Sequence, residues 1–445
     1  MPVPSRRRLT KVALSASAGV LAVVLASTGG VAVRPSSSAA AAGAATSSVA
    51  GSSVAAAPAA ARPPRWITTW GGSAMSPSAL VSTVQTLDDQ TVRNIVYTSA
   101  GGTALRIRVS NAFGDRAVTI GAATVARQVG GATIDRATLH RLTFGGHRSV
   151  RLPRGGAALS DPVRMAVPAL SNLAVSLYLP GATGPATYHQ DAQQTNYLAA
   201  GNRTATAGAG AFGTTVGTWF FLDAVQVTTT APGAIIALGD SITDGFNSTV
   251  DANNRWPNVL ARRLAARQGR HAPAVVDEAI SGNRVLSDSV CFGDDLLSRL
   301  RRDVFSQPGA RTIVLLEGVN DLGFSQLPDA DCSAPNTNVT AAQLIRAYRQ
   351  VIARAHARGL RIYGGTILPA QGSGYWDPAA EQKRLTINDW IRGSHAFDGV
   401  VDFAEVMAAP GHPELLNPAF DSGDHLHPND AGYATMAAAV DRALR

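Results

Sequence analysis

Cysteine is scarce: Cys291 and Cys332 are the two in 445 residues. Neither has a histidine at metal-ligand spacing, so they offer no metal site. A bilayer span needs about 20 uninterrupted apolar residues. The best candidate run, residues 12–24, is broken early by Ser15, Ser17 and Gly19, so no stable membrane anchor is expected. Acidic residues are missing from residues 1–65, which hold Arg6, Arg7, Arg8, Lys11, Arg34, Arg62 and Arg65. The formal net charge of +8 is concentrated there, since taking away those seven charges leaves +1. The rest carries no long block of like charge, which excludes nucleic acid as a partner. Internal repeats are absent too.

What the N-terminus does have is a basic stretch at residues 6–11, then the apolar run, then small residues. This is the pattern of an export signal. Ser5-Arg6-Arg7-Arg8-Leu9-Thr10-Lys11 also resembles a twin-arginine signal, with the general export route equally open. Residues 1–45 are read as signal and cleavage region. Residues 46–64, rich in Ala, Ser and Pro, cannot bury enough apolar surface to offset their ordering entropy and read as a disordered linker. A secreted, extracellular protein follows, and an even cysteine count in such a chain predicts a Cys291–Cys332 disulfide.

The remaining length suits two domains. Residues 65–230 alternate apolar and polar with period two, as in Leu105-Arg106-Ile107-Arg108-Val109. Further short runs lie at 118–125, 149–152, 173–179 and 219–227, punctuated by Gly, Pro, Asn and Asp. They predict a β-sandwich, jelly-roll-like. The rhythm changes at Pro232. Wholly apolar runs such as Ala234-Ile235-Ile236-Ala237-Leu238, which suit strands buried on both faces, recur near 274–276, 313–316, 360–363 and 400–403. Helical patterns lie between them. The clearest covers 340–358, with Thr340 and Gln343 at capping-box spacing and Gly359 after it. Asp377-Pro378 starts another helix and Asn429 caps a last one. Residues 231–445 are therefore expected to form an α/β domain with a parallel sheet.

Reactive groups in such a sheet gather at the carboxyl ends of strands. Gly239-Asp240-Ser241 follows the first run, so Ser241 sits near a helix N-terminus that favours developing negative charge. Serine needs a base. His427, in Asp424-His425-Leu426-His427-Pro428, is the candidate, and Asp424 three residues earlier can hold its imidazole. Asn320, in Gly318-Val319-Asn320-Asp321, and the Gly282 N–H, in Ser281-Gly282-Asn283, are candidate oxyanion donors together with the Ser241 N–H.

These four blocks, in this order, resemble the SGNH hydrolases, also called the GDSL esterase/lipase family, over about residue 235 to the last residue. The resemblance implies a flavodoxin-like three-layer α/β/α fold without metal or other cofactor. It also places the nucleophile on Ser241, the acid–base pair on Asp424 and His427, and the oxyanion hole on Ser241, Gly282 and Asn320. One departure is Asp277-Glu278-Ala279 ahead of the second block, where many relatives have Asn and Gly.

Other residues read more quietly. Asp240 serves as a helix cap and Asp321 braces a neighbouring loop, both behind the reacting groups. His425 faces solvent at the rim, and the pair His425 and His427 lacks a third metal ligand. Asn283 and Arg284 either line the cleft or brace their loop. Trp256-Pro257 packs at a helix start, and His189 beside Tyr188 reads as structural. The expected function is a monomeric serine esterase acting on carboxylic esters through an acyl-enzyme, the substrate being a small molecule, a lipid or an acylated glycan. Polysaccharide O-deacetylation and lipase or phospholipase action are alternatives. A non-enzymatic alternative is a glycan-binding surface protein.

Overall fold

The computed structural model describes residues 63–445. The export signal read from residues 1–45, and nearly all of the linker read from 46–64, lie outside the described residues. The described residues belong to one compact unit.

The alternating sequences become strands. In chain order they are β1 (Arg65–Gly71), β2 (Gln90–Thr98), β3 (Gly102–Ser110), β4 (Ala122–Gly130), β5 (His140–Leu142), β6 (Ala157–Leu159), β7 (Val163–Val167), β8 (Ser171–Leu179), β9 (Asn196–Ala200), β10 (Thr214–Val216) and β11 (Leu222–Thr229). One antiparallel sheet runs β1-β11-β3-β7 with β6 also on β3; the other runs β10-β9-β2-β8-β4 with β5 also on β4. The period of two decides which side chains face inward. Strand β8 pairs with β2 in unbroken register from Ser171 opposite Thr98 to Leu179 opposite Gln90. Leu173, Val175 and Leu177 thereby enter one core with Val92 and Val96, and meet Leu105, Ile107, Val109, Val225 and Val227 from the facing sheet. Each such side chain withdrawn from water contributes roughly 1.5–3 kcal/mol.

The apolar runs after Pro232 become parallel strands: β12 (Ala234–Gly239), β13 (Ala274–Asp277), β14 (Ala310–Leu316), β15 (Arg361–Gly365) and β16 (Gly399–Val401). Their order is β13-β12-β14-β15-β16, parallel throughout. Parallel neighbours need crossover connections, and helices supply them between the strands. The helices are α1 (Ser241–Asp244), α2 (Trp256–Gln268), α3 (Leu296–Leu300), α4 (Val319–Gly323), α5 (Ala341–His356), α6 (Pro378–Gly393), α7 (Phe403–Met407) and α8 (Asp430–Ala443). Their starts follow local chemistry. Thr340 and Gln343 form the full capping box of α5, Asp377 caps α6 ahead of Pro378, and Asn429 caps α8. Trp256 opens α2 fully buried.

The strand order reverses at β12. The chain leaves the first strand toward β13 on one side, while β14 lies on the other. A crevice at the carboxyl ends of β12 and β14 is the expected outcome of that reversal. Edge strand β13 is covered by the antiparallel region. The Val275 N–H donates to Ser99 Oγ at 3.0 Å. Thr68 in β1 donates its N–H to the Pro308 carbonyl at 3.0 Å. An open edge is thereby closed, and the antiparallel region is held against the domain that carries the candidate site.

Candidate active site

Helix α1 begins where β12 ends, and Asp240 sets the turn. Its Oδ1 accepts the Ile242 N–H at 3.0 Å, the expected cap. Ser241, 5 % exposed, is thereby presented at the sheet's carboxyl edge. Its hydroxyl donates to His427 Nε2 at 2.8 Å, across 186 residues of sequence. His427 lies on the turn before α8. Its Nδ1 donates to Asp424 Oδ2 at 2.7 Å, and its backbone N–H donates to Asp424 Oδ1 at 2.8 Å. That pair of bonds fixes the tautomer: with Nδ1 carrying the proton, Nε2 is the acceptor facing serine.

Asp424 is further held by Asn247, whose Nδ2 donates at 3.2 Å, and by the Leu426 N–H at 3.0 Å. Partial burial alone would raise its carboxyl, but the His427 side chain and backbone N–H groups outweigh it and hold it well below the usual carboxylate range. Phe246 packs its ring 4.7 Å from the imidazole, centroid to centroid. His425 hydrogen-bonds Asp421 through Nδ1 at 2.7 Å and stays exposed at the rim.

Gly282 and Asn320 converge from the ends of β13 and β14. Asn320 Nδ2 donates one proton to the Asn283 carbonyl at 2.8 Å, leaving the second N–H of the amide free. Gly282 adopts φ +77°, a left-handed conformation suited to glycine. The loop behind it is tightly braced. Asn283 donates to the carbonyls of Phe292 and Asp294 at 2.9 and 2.8 Å and accepts from Arg299 Nε at 2.7 Å. Arg284 reaches the Pro335 carbonyl at 2.6 Å. Both residues therefore brace the loop.

Asp321 accepts the N–H groups of Val285 and Leu286 at 2.8 and 3.1 Å. It holds the same loop whose Asn283 carbonyl receives Asn320. Burial pushes the carboxyls of Asp240 and Asp321 up to about 7 each, against the backbone N–H bonds that each accepts. Cys291 and Cys332 are bridged, with Cα atoms 5.2 Å apart. The disulfide ties the loop carrying Phe292 to the loop after α4. Phe292, Phe324 and Tyr375 form an aromatic row, with ring centroids 5.8 and 5.6 Å apart, beside the residues that carry the candidate oxyanion donors.

Four contributors were not singled out in the sequence: Asn247, Arg299, Asp244 and Ser281. Arg299 is fully buried and donates to the carbonyls of Gly239 and Glu278 at 3.0 and 2.6 Å, joining the ends of β12 and β13. A single arginine in a five-residue, leucine-rich helix gives no sequence signal for such a role. Asp244 stands three residues after Ser241, and nothing in the sequence names its partners.

A flavodoxin-type strand order with a Ser–His–Asp array at its switch point defines the class as an α/β hydrolase. More narrowly, residues 237–435 match the model of the GDSL-like lipase/acylhydrolase family. No curated protein matches the sequence. Solved structures similar to part of the chain include a GDSL-like lipase from Bacteroides thetaiotaomicron (21% identity, 47% of this chain, 87% of that chain, TM-score 0.35). A variant of an acetyl xylan esterase from Geobacillus stearothermophilus is similar as well (21%, 48%, 94%, TM-score 0.37). So is an α/β hydrolase from the metagenome of Lake Arreo (20%, 47%, 94%, TM-score 0.37).

Proposed function

We propose that the protein hydrolyses carboxylic esters through an acyl-enzyme. The observation that carries this is the unbroken line from Ser241 Oγ to His427 Nε2 at 2.8 Å and from His427 Nδ1 to Asp424 at 2.7 Å. Ser241 Oγ attacks the ester carbonyl while His427 Nε2 takes its proton. The carbonyl oxygen becomes an oxyanion that faces the N–H groups of Ser241 and Gly282 and the free amide N–H of Asn320. Collapse breaks the bond to the alcohol, which leaves with the proton returned by His427. Water then adds to the acyl-enzyme with the same base, releasing acid and free serine. Asp424 keeps the imidazole in the productive tautomer and stabilises it when charged.

On the acyl side, Phe292, Phe324 and Tyr375 stand close behind the donors. That wall supports a short acyl group. Removal of acetyl groups from polysaccharide fits the same wall; long-chain lipid hydrolysis fits it poorly. The Cys291–Cys332 bridge supports work outside the cytoplasm, in line with the export reading of residues 1–45.

The test is hydrolysis of p-nitrophenyl esters from acetyl to long-chain acyl by wild type and Ser241→Ala side by side. Activity on acetyl that is lost in the variant supports the reading. Undiminished activity in Ser241→Ala overturns the assignment of the nucleophile, and well-folded wild type without turnover on simple esters and acetylated polysaccharide alike overturns the reading in favour of a glycan-binding role.

A further inference from the structure

His189 belongs to the antiparallel region, between β8 and β9, yet it is 3 % exposed and touches the hydrolase domain. Its Nε2 lies 3.1 Å from Asp244 Oδ1 and its Nδ1 lies 3.0 Å from the Ser73 carbonyl oxygen. A backbone carbonyl can only accept, so Nδ1 must carry a proton. Asp244 Oδ2 already accepts the Ser281 N–H at 3.1 Å and the Ser281 hydroxyl at 2.9 Å. Arg255 Nη1 stands 3.6 Å from Asp244 Oδ1. Two donors and a guanidinium favour an ionised Asp244, and an ionised carboxylate also only accepts. Nε2 must then carry a proton as well. A ring with two N–H groups is an imidazolium.

From the Ser73 carbonyl, through His189, Asp244 and Ser281, a continuous chain of hydrogen bonds ends one residue before Gly282. Asp244 closes α1, the helix that Ser241 opens. One carboxylate thus ties the serine's helix to the loop that aims an oxyanion donor, and the antiparallel region supplies its counter-charge. Resting on the esterase reading, we propose that His189 is a positioning residue for ester hydrolysis: as an imidazolium it fixes Asp244, and Asp244 fixes the Ser281–Gly282 turn. The antiparallel region is then part of the catalytic unit.

The charged and titratable groups around the ring fit this assignment. Asp244 lies on the α1 side, and Asp191 is nearby on the ring's own segment. Arg255 lies at the start of α2, with Asp277 beyond it at 3.5 Å from the guanidinium. The Trp219 ring, 5.2 Å away by centroids, closes the remaining side. Burial opposes the charge on His189, but Asp244 and the Ser73 carbonyl outweigh it and raise the imidazole above its ordinary value.

The experiment compares wild type with His189→Gln, His189→Leu and Ser241→Ala on p-nitrophenyl acetate, all in the full chain. Losing an oxyanion donor outright costs about 10²–10³ in kcat, so a displaced donor should cost on the order of tenfold. The expected result is that kcat falls about that much in His189→Leu with KM unchanged, and less in His189→Gln, which keeps one N–H for Asp244. Nitrogen-15 NMR of the histidine-labelled wild type should show both His189 ring nitrogens protonated at about pH 7, where an ordinary histidine is mostly neutral. Wild-type kcat in folded His189→Gln and His189→Leu, a loss confined to KM, or a bare ring nitrogen at that pH overturns the proposal. If His189→Leu does not fold, His189→Gln and the NMR arm decide. Inactive wild type, or active Ser241→Ala, sinks the esterase reading itself, while the NMR arm still reports on His189.

Discussion

The ring of Phe292 lies across Gly282 so closely that a β-carbon on the glycine would stand 2.4 Å from Phe292 Cγ. The backbone there has φ +77°, which side chains other than hydrogen rarely tolerate. Glycine is needed twice over: to adopt the turn and to leave room for the ring. Gly282→Ala must therefore move the donor N–H, the ring or both. The expected cost is about 10²–10³ in kcat on p-nitrophenyl acetate, with KM changed much less. Unchanged kcat would show that the Gly282 N–H does not face the oxyanion.

The Asp424–His427 pair leads to a ranking. His427 holds the proton-accepting nitrogen itself, whereas the Asp424 side chain is 40 % exposed and shares its work with the Asn247 amide and nearby solvent. Dismantling triads of this kind costs about 10⁶ in kcat for the base and about 10⁴ for the orienting carboxylate. Asp424→Asn should thus retain more activity than His427→Ala, and equal loss in two folded variants would contradict this. The acid limb of the pH–rate profile should fall with a slope of one. Asp424 stays ionised through it because the His427 contacts hold its carboxyl below the usual range. A slope of two would mean that Asp424 titrates with the base.

Asp240 predicts a pH effect on stability rather than on chemistry. Burial raises its carboxyl to about 7 in the folded chain, against an ordinary value of about 3.9 when unfolded. The folded state therefore prefers the protonated form. Its contribution to stability is fully present below the unfolded value and is lost as pH rises through about 7. The carboxylates held low, such as Asp402 and Asp430, act in the opposite direction but have already ionised by about pH 5. Asparagine keeps the cap oxygen and carries no charge. Asp240→Asn should thus lose less stability than wild type between about pH 5 and pH 8, by at most a few kcal/mol and read as a smaller fall in Tm, while retaining most activity. Parallel Tm curves would refute the assignment.

The parts of the site that were legible in the sequence share one property: local spacing fixes them. Asp424 and His427 sit three residues apart on one turn. Ser241 and Asn320 each follow a strand whose wholly apolar run announced it, and Thr340 with Gln343 announced α5. The Asp244–His189 contact was hidden because it joins two regions that fold by different periodicities, 55 residues apart. Arg299 was hidden for a related reason, since its partners are backbone carbonyls at two strand ends, and any sequence supplies those. Period two revealed the strands of residues 65–230, but pairing order depends on which edges meet, and alternation carries no information on that.

The disulfide closes a separation of 41 residues. On chain entropy alone such a link stabilises by about 4 kcal/mol. It also does something local. Cys291 is fully buried next to Phe292, and the Phe292 carbonyl accepts from Asn283, so the bridge anchors the ring that walls the acyl side. Arg284 supplies a second tie between the same loops through the Pro335 carbonyl at 2.6 Å, so the fold should survive without the bridge. Replacing both cysteines by serine is therefore expected to lower Tm and to loosen Phe292. Longer acyl esters should gain relative to acetyl, because a ring free to swing away opens depth behind Gly282 while leaving Ser241 and His427 in place. The check is the ratio of kcat/KM for butyryl to acetyl p-nitrophenyl esters with and without the bridge. A lower Tm with an unchanged ratio would confine the disulfide to stability and remove Phe292 as the acyl-side wall.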